Sequence, residues 1–79
     1  MDEVEYKVIE IISKSLSLDK SKITLQSRIA EDLGADSVDQ VEIIMELDKV
    51  FGVDISDEEA AKIFSVADAV EFIKKNIQQ

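Results

Sequence analysis

Residues 36–52 read DSVDQVEIIMELDKVFG and carry the strongest helix signal in the chain. Apolar residues recur at spacings of three and four, which predicts an amphipathic helix over residues 37–51. Gly52 follows, and glycine readily takes the left-handed conformation that ends a helix. At the other end, Ser37 and Gln40 fit a capping box, and Asp36 is an equally suitable cap one residue earlier. The stretch therefore predicts one well-bounded helix with two possible caps.

This helix carries more apolar residues than one core face needs. The first arc suits the core and consists of Ile43, Ile44, Leu47, Val50 and Phe51. A second arc lies on another side of the helix and consists of Val38, Val41 and Met45. The acidic residues beside it are Asp39, Glu42 and Glu46. Two interpretations are open at this stage: the second arc and its carboxylates dock a partner, or the loop before the helix covers the apolar residues as core.

The same signals predict three further helices. The first covers residues 3–16, with an inward stripe made of Val4, Val8, Ile11, Ile12 and Leu16. Capping boxes formed by Ser56 with Glu59 and by Ser65 with Asp68 open helices over about 57–63 and 66–77. The inward residues of the last helix are Val66, Ala69, Val70, Ile73 and Ile77. We therefore expect an all-α fold, a four-helix bundle of three longer helices and one short helix.

Residues 17–36 lose the helical period but keep scattered leucines and isoleucines. A structureless loop of this length is unusual in a small domain unless its own buried side chains pin it. We therefore predict a long, structured first loop and no strand. The length of 79 residues predicts a single domain over residues 1–79.

Composition and charge exclude several classes of function. The chain has no cysteine and no histidine, which excludes disulfides, thiolate nucleophiles, thiolate or imidazole metal sites and histidine-based triads. The net charge is −9, and residues 30–60 contain eleven acidic side chains and one basic. This charge argues against nucleic acid and anionic membranes and favours positively charged protein partners. We expect a protein that is not an enzyme and binds no metal.

No apolar run is long enough to span a membrane, and the amino terminus lacks a secretory pattern. These features predict a cytoplasmic protein without membrane insertion. Removal of an organellar transit peptide would leave the same pattern, so an organelle interior stays open as an alternative.

Ser37 combines two features that matter for chemistry. A serine without a nearby histidine or lysine base is an inert hydroxyl, and its ordinary role at a helix start is to cap the helix. The amino end of a helix also favours an attached phosphate, because exposed amides and the helix dipole stabilise negative charge. From the residues alone, Ser37 is either a cap or a modification site.

The string DLGADSVD at residues 32–39 closely resembles the attachment motif of acyl carrier proteins, in particular the stand-alone carriers of bacterial and organellar fatty acid synthesis. The resemblance continues through VEIIMEL at 41–47, FGVDI at 51–55 and DEEA at 57–60, and it covers essentially the whole chain. It implies a four-helix bundle with a long first loop, which agrees with the fold that the periodicity predicts.

The resemblance also implies a function and its residues. Ser37 would receive the 4′-phosphopantetheine arm of coenzyme A from a phosphopantetheinyl transferase, and the thiol of the arm would carry growing fatty acyl chains as thioesters. The positions that match recognition by the transferase and other partners are Asp36, Val38, Asp39, Val41, Glu42, Met45, Glu46 and Asp48. The residues expected to line an acyl site are Leu47, Ile55, Ala60 and Ile63. Further partners would be fatty acid synthesis enzymes and acyltransferases with basic docking patches, and the chain would be a monomer.

Three positions depart from the common pattern of the family. Val38 stands where leucine is most frequent, Lys49 where an acidic residue is common, and Ser56 where proline is frequent. Alternative functions are a carrier for polyketide, aminoacyl or another specialised pathway, and an unmodified acidic adaptor in which Ser37 is only a cap. A calcium-binding protein is disfavoured because the acidic residues lack the EF-hand spacing.

Overall fold

The computed structural model of the chain describes residues 1–77 and contains four α-helices. They are α1 (Glu3–Leu16), α2 (Ser37–Phe51), α3 (Asp57–Ala60) and α4 (Val66–Ile77). A short 3-10 helix, Lys20–Lys22, lies in the first loop. Within residues 1–77 no strand forms, and the single β-bridge joins Arg28 to Ser65. The all-α fold with three longer helices and one short helix is confirmed. The single-domain prediction extends to residue 79, and its last two residues lie outside the described part.

Helix α3 is shorter than predicted. The sequence predicts a helix over about residues 57–63, but α3 ends at Ala60. After Ala61 the amides bond three residues back instead of four: Lys62 N–H donates to the Glu59 carbonyl at 3.0 Å, and Ile63 N–H donates to the Ala60 carbonyl at 3.1 Å. The chain therefore leaves α3 through a tighter, 3-10-like turn.

The core lies where α1 packs against both α2 and α4. Its helical members are Val8, Ile9, Ile11, Ile12, Ile43, Leu47, Val66, Ala69, Val70 and Ile73, and its members outside the helices are Ile23, Ile29, Ala35 and Ile55. Two predicted core residues are corrected: Val50 is 46% exposed and Ile77 is 40% exposed. Val50 lies at the edge of its arc, over a groove between α1 and α2, and Ile77 is the last residue of α4. The middle of each arc is buried as predicted.

The first loop is pinned to the rest of the fold, as predicted. Besides its buried isoleucines, it is joined by backbone hydrogen bonds to the segment between α3 and α4 and to the start of α4. Ile29 N–H donates to the Phe64 carbonyl at 2.9 Å, and Val66 N–H donates to the Ser27 carbonyl at 3.0 Å. These bonds hold the first loop against the start of α4. The loop therefore leads into α2 from a defined position.

The predicted capping boxes at α3 and α4 are both present. Ser56 Oγ accepts from Glu59 N–H, and Glu59 Oε1 accepts from Ser56 N–H. At α4, Ser65 Oγ accepts from Asp68 N–H at 3.1 Å. The Asp68 carboxylate in turn accepts from the N–H groups of Phe64 at 3.0 Å and Ser65 at 3.1 Å. These two backbone hydrogen bonds hold the pKa of Asp68 below its ordinary value of 3.8.

Asp68→Ala is expected to lower the melting temperature at pH 7 by about 4–8 °C, the effect of losing one helix cap in a domain of this size. A carboxylate with a lowered pKa stabilises the fold above its unfolded pKa and loses that contribution as the pH falls through its folded pKa. The difference between wild type and variant should therefore shrink below pH 3.8. Thermal melts from pH 7 to pH 2 test this, with the exposed Asp54→Ala as the control. A difference that stays constant over this range would contradict it.

Candidate functional site

Ser37 is the first residue of α2, and Asp36 is the cap. Asp36 Oδ1 accepts from Asp39 N–H at 2.8 Å, and Asp39 Oδ2 accepts from Asp36 N–H at 3.1 Å, which completes a capping box. The alternative box of Ser37 with Gln40 is wrong, since the Gln40 side-chain amide donates to the Ala35 carbonyl at 3.3 Å. Ser37 is exposed, and its hydroxyl makes no hydrogen bond within residues 1–77. The cap interpretation of Ser37 is therefore wrong, and its hydroxyl is available for chemistry.

The segment before Ser37 is held by three features. Gly34 has φ +75°, a conformation that other residues rarely adopt, and its N–H donates to the Ala30 carbonyl at 3.1 Å. Ala35 is buried, and its N–H donates to the Ile29 carbonyl at 3.1 Å. Asp36 then closes the cap. Three consecutive residues before Ser37 are thus held in place by a turn, by burial and by a cap. Ser37 therefore lies at a defined position on the surface.

An apolar cleft of about 270 Å³ begins at Ser37 and runs between α2 and the α3 segment. Its lining consists of Ile29, Ser37, Gln40, Val41, Ile43, Ile44, Leu47, Ala60, Ala61, Ile63 and Ala69. For scale, an apolar cavity of about 150 Å³ holds benzene. The cleft could therefore take a short hydrocarbon chain whose polar end lies near Ser37.

Three of the four predicted acyl-site residues, Leu47, Ala60 and Ile63, line this cleft. Ile55 does not. It is buried in the core, and its N–H donates to Asp48 Oδ1 at 3.1 Å, which fastens the connection after α2. Sequence reasoning missed Ile29 in the first loop and Ala69 on α4. The small side chain of Ala69 on an inward face was a usable signal, whereas nothing in the local pattern placed Ile29 beside α2.

The second apolar arc of α2 faces solvent. Val38 is 66% exposed, Val41 is 57% exposed and Met45 is 64% exposed. The interpretation in which the first loop covers them is therefore wrong. We call these three residues the apolar stripe. Contiguous exposed apolar residues of this kind mark interaction sites.

The acidic residues near the stripe differ in their surroundings. Glu42 and Glu46 are exposed on α2, next to the stripe. Asp36 and Asp39 hold each other in the capping box, and Asp48 is half-buried with its carboxylate on the Ile55 N–H. Only Glu42 and Glu46 therefore present carboxylates free of these backbone bonds.

Other kinds of site are not seen in the described residues. Residues 1–77 contain no group of three or more acidic side chains arranged to hold a metal ion. None of the helices in this part of the chain is both long and apolar enough to cross a membrane.

Comparison with known proteins agrees with this geometry. A family model described as a phosphopantetheine attachment site matches residues 7–73. The acyl carrier protein of Rickettsia bellii is 50% identical over 76 residues, covering 96% of this chain and 88% of the relative. Those of Rickettsia canadensis and Rickettsia typhi are 49% and 47% identical over 74 residues, covering 94% of this chain and 86% of each relative. The family resemblance is confirmed: the chain belongs to the acyl carrier protein family.

Proposed function

We propose that Ser37 bears the 4′-phosphopantetheine arm of this carrier and that the loaded chain passes growing fatty acyl groups between fatty acid synthesis enzymes. Membership of the acyl carrier protein family makes the chain a carrier and not an enzyme, with 4′-phosphopantetheine as its cofactor. The observation that carries the assignment to Ser37 is its exposed hydroxyl, which is not used by the helix cap and lies at the mouth of an apolar cleft.

The surroundings of Ser37 fit an attached phosphodiester. In the first turn of α2, Asp36 accepts the Asp39 N–H and its carbonyl accepts the Gln40 N–H, so the amides of Ser37 and Val38 are the ones available to a negative group beside Ser37. The cleft residues include no histidine or lysine that could take the Ser37 proton, so we expect the transferase to supply the base. When attached, the arm supplies the thiol that holds the acyl group as a thioester.

Partner recognition is assigned to the exposed face of α2 and its cap, namely Asp36, Val38, Asp39, Val41, Glu42, Met45, Glu46 and Asp48. The apolar stripe would enter pockets on the partner, while Glu42 and Glu46 would attract its basic residues. We expect Asp36, Asp39 and Asp48 to contribute mainly by positioning, because each accepts a backbone hydrogen bond. Transferase, fatty acid synthesis enzymes and acyltransferases must each release the carrier, and exposed charge pairs suit fast, weak binding.

The acyl chain is assigned to the cleft. Leu47, Ala60 and Ile63 form part of its apolar lining, and the small side chains of Ala60 and Ala61 leave room between α2 and α3. Burial of a hydrocarbon chain there would be favourable by about 0.8 kcal/mol per methylene fully removed from water. The thioester at the end of the arm would gain protection from water by the same burial.

Intact mass measures the proposed function. The apo chain is incubated with coenzyme A, magnesium and a broad-specificity phosphopantetheinyl transferase, and we expect a gain of one phosphopantetheinyl group. A known carrier runs in parallel. If that carrier gains mass and folded apo chain does not, the proposal is wrong and the unmodified adaptor becomes the better account.

The pathway, location and assembly are parts of the same proposal. A carrier for a polyketide or aminoacyl pathway would bear the same arm, so loading by fatty acid synthesis enzymes, followed by mass, distinguishes the pathways. We further propose a cytoplasmic monomer with one domain. The concentrated negative charge of residues 30–60 supports the monomer because like charges oppose self-association. Cell fractionation tests the location, and sedimentation velocity tests the monomer.

A further inference from the structure

A second groove, of about 510 Å³, lies between α1 and α2 on the other flank of α2 from the cleft. Lys7 and Lys14 line its α1 edge, and Glu42 and Glu46 line its α2 edge. Along α2, Glu42 lies five residues from Ser37 and Val50 lies thirteen. At a rise of about 1.5 Å per residue, the groove therefore extends from about 8 to about 20 Å from Ser37 along the helix axis.

The two charged edges of this groove do not neutralise each other. Within residues 1–77, Lys14, Glu42 and Glu46 take part in no ion pair, and Lys7 pairs with Glu3 of its own helix at 3.7 Å. Glu10, on the α1 edge, is paired with Lys20 at 3.5 Å. Within residues 1–77 the unpaired charges are therefore Lys14 on the α1 edge and Glu42 and Glu46 on the α2 edge. The Lys7–Glu3 pair is exposed and therefore weak, so Lys7 can also meet a carboxylate of a partner.

The floor of the groove is apolar and partly open. Ile11 is buried, but Val50 is 46% exposed and Met45 is 64% exposed. Val50 belongs to the arc of α2 that the sequence assigns to the core, yet α1 leaves it uncovered. This groove would fit a partner surface in which an apolar side chain lies between a basic residue and an acidic residue. The apolar side chain would contact the floor, and each charged residue would face the edge of opposite charge.

We propose that this groove docks the enzyme that loads Ser37, through a surface segment with an apolar side chain between a basic edge and an acidic edge. The basic edge would meet Glu42 and Glu46, and the acidic edge would meet Lys7 and Lys14. The inference rests on the proposed function, since the loading enzyme is its partner. A segment in the groove leaves Ser37 and the cleft mouth uncovered, and because its two edges differ in charge it can lie in only one direction along α2.

Docking in the groove and simple charge attraction predict opposite effects of lysine-to-glutamate substitutions on binding of the transferase. If a basic transferase were attracted only by negative charge, replacing lysines by glutamates would leave binding unchanged or make it tighter. If the partner's acidic edge meets Lys7 and Lys14, the same replacement places like charges together and weakens binding.

The test is the dissociation constant of the apo chain and the transferase, measured by calorimetry without coenzyme A. The double variant Lys7→Glu/Lys14→Glu is compared with Lys22→Glu/Lys75→Glu, which makes the same change in charge at exposed positions outside the groove. We expect the groove variant to bind about tenfold more weakly and the control to bind as tightly as wild type or more tightly. Val50→Thr, which keeps the shape of the side chain, should weaken binding about threefold. Circular dichroism confirms that each variant is folded.

Equal binding by the groove variant, its control and wild type would overturn the groove, even if Ser37 is modified normally. Wild type that binds the transferase in a groove-dependent way but gains no mass would overturn the assignment of Ser37 and support the groove. Failure of wild type to bind the transferase at all would overturn the groove directly.

Discussion

Ser37→Ala is expected to abolish attachment of the arm completely and to leave the free energy of unfolding within about 0.5 kcal/mol of wild type. The first effect follows because the variant lacks the hydroxyl that forms the phosphodiester. The second follows because Asp36 caps α2 and the Ser37 hydroxyl makes no hydrogen bond within residues 1–77. Alanine is also a favourable residue in the first turn of a helix. Intact mass and urea denaturation measure the two effects on the same sample.

Ser56→Ala is the matched control for stability. Ser56 Oγ accepts the Glu59 N–H and caps α3, so its removal should cost about 1 kcal/mol, while modification of Ser37 continues. A Ser37→Ala variant that still gains mass would show that another residue bears the arm. A loss of stability as large as that of Ser56→Ala would show that Ser37 has a structural role at the start of α2.

The second large effect is on stability, at Leu47. Its side chain is fully buried at the centre of the core arc of α2 and also lines the cleft. Leu47→Ala should lower the free energy of unfolding by about 2–5 kcal/mol through lost burial and a new cavity. Small proteins are stable by only about 5–15 kcal/mol, so a considerable part of the stability would be lost. Urea denaturation in the apo form measures the change.

Val41→Ala is the control on the same helix. Val41 is 57% exposed, so we expect a change within about 0.5 kcal/mol. Similar losses for both variants would mean that the apolar stripe is covered in solution, in conflict with its proposed role in docking. A small loss for Leu47→Ala would mean that the core around α2 is packed differently.

The sequence predicts the helix bounds correctly where only one residue pattern indicates the start or the end of a helix. The bounds of α1, α2 and α4 agree with the predicted ranges. Apolar periodicity alone gave the ends of α1, a cap and Gly52 marked the ends of α2, and the Ser65–Asp68 box marked the start of α4. At α2, two caps were available, and Asp36 prevailed because Asp39 lies three residues on and returns a carboxylate to its N–H. Periodicity also could not foresee that α1 leaves Val50 uncovered, since this depends on the spacing of two helices.

The site was predictable in part for the same reason. Ser37 and the apolar stripe lie on one helix, so motif and helical geometry suffice to find them. The cleft is formed by segments far apart in sequence, and its lining by Ile29 depends on where the first loop crosses the bundle. Ile55 looked equally apolar, but its hydrogen bond to Asp48 places it in the connection after α2 and not beside the cleft.

The most direct test of the central claim locates the arm on the protein. Apo chain is treated with coenzyme A, magnesium and transferase and then digested with a protease that cleaves only after lysine. The resulting peptide, residues 23–49, is fragmented in a mass spectrometer. The account predicts one phosphopantetheinyl group on Ser37 and none on Ser27, the other serine of that peptide. Attachment at any other residue, or no attachment to folded chain while a known carrier is modified, would contradict it.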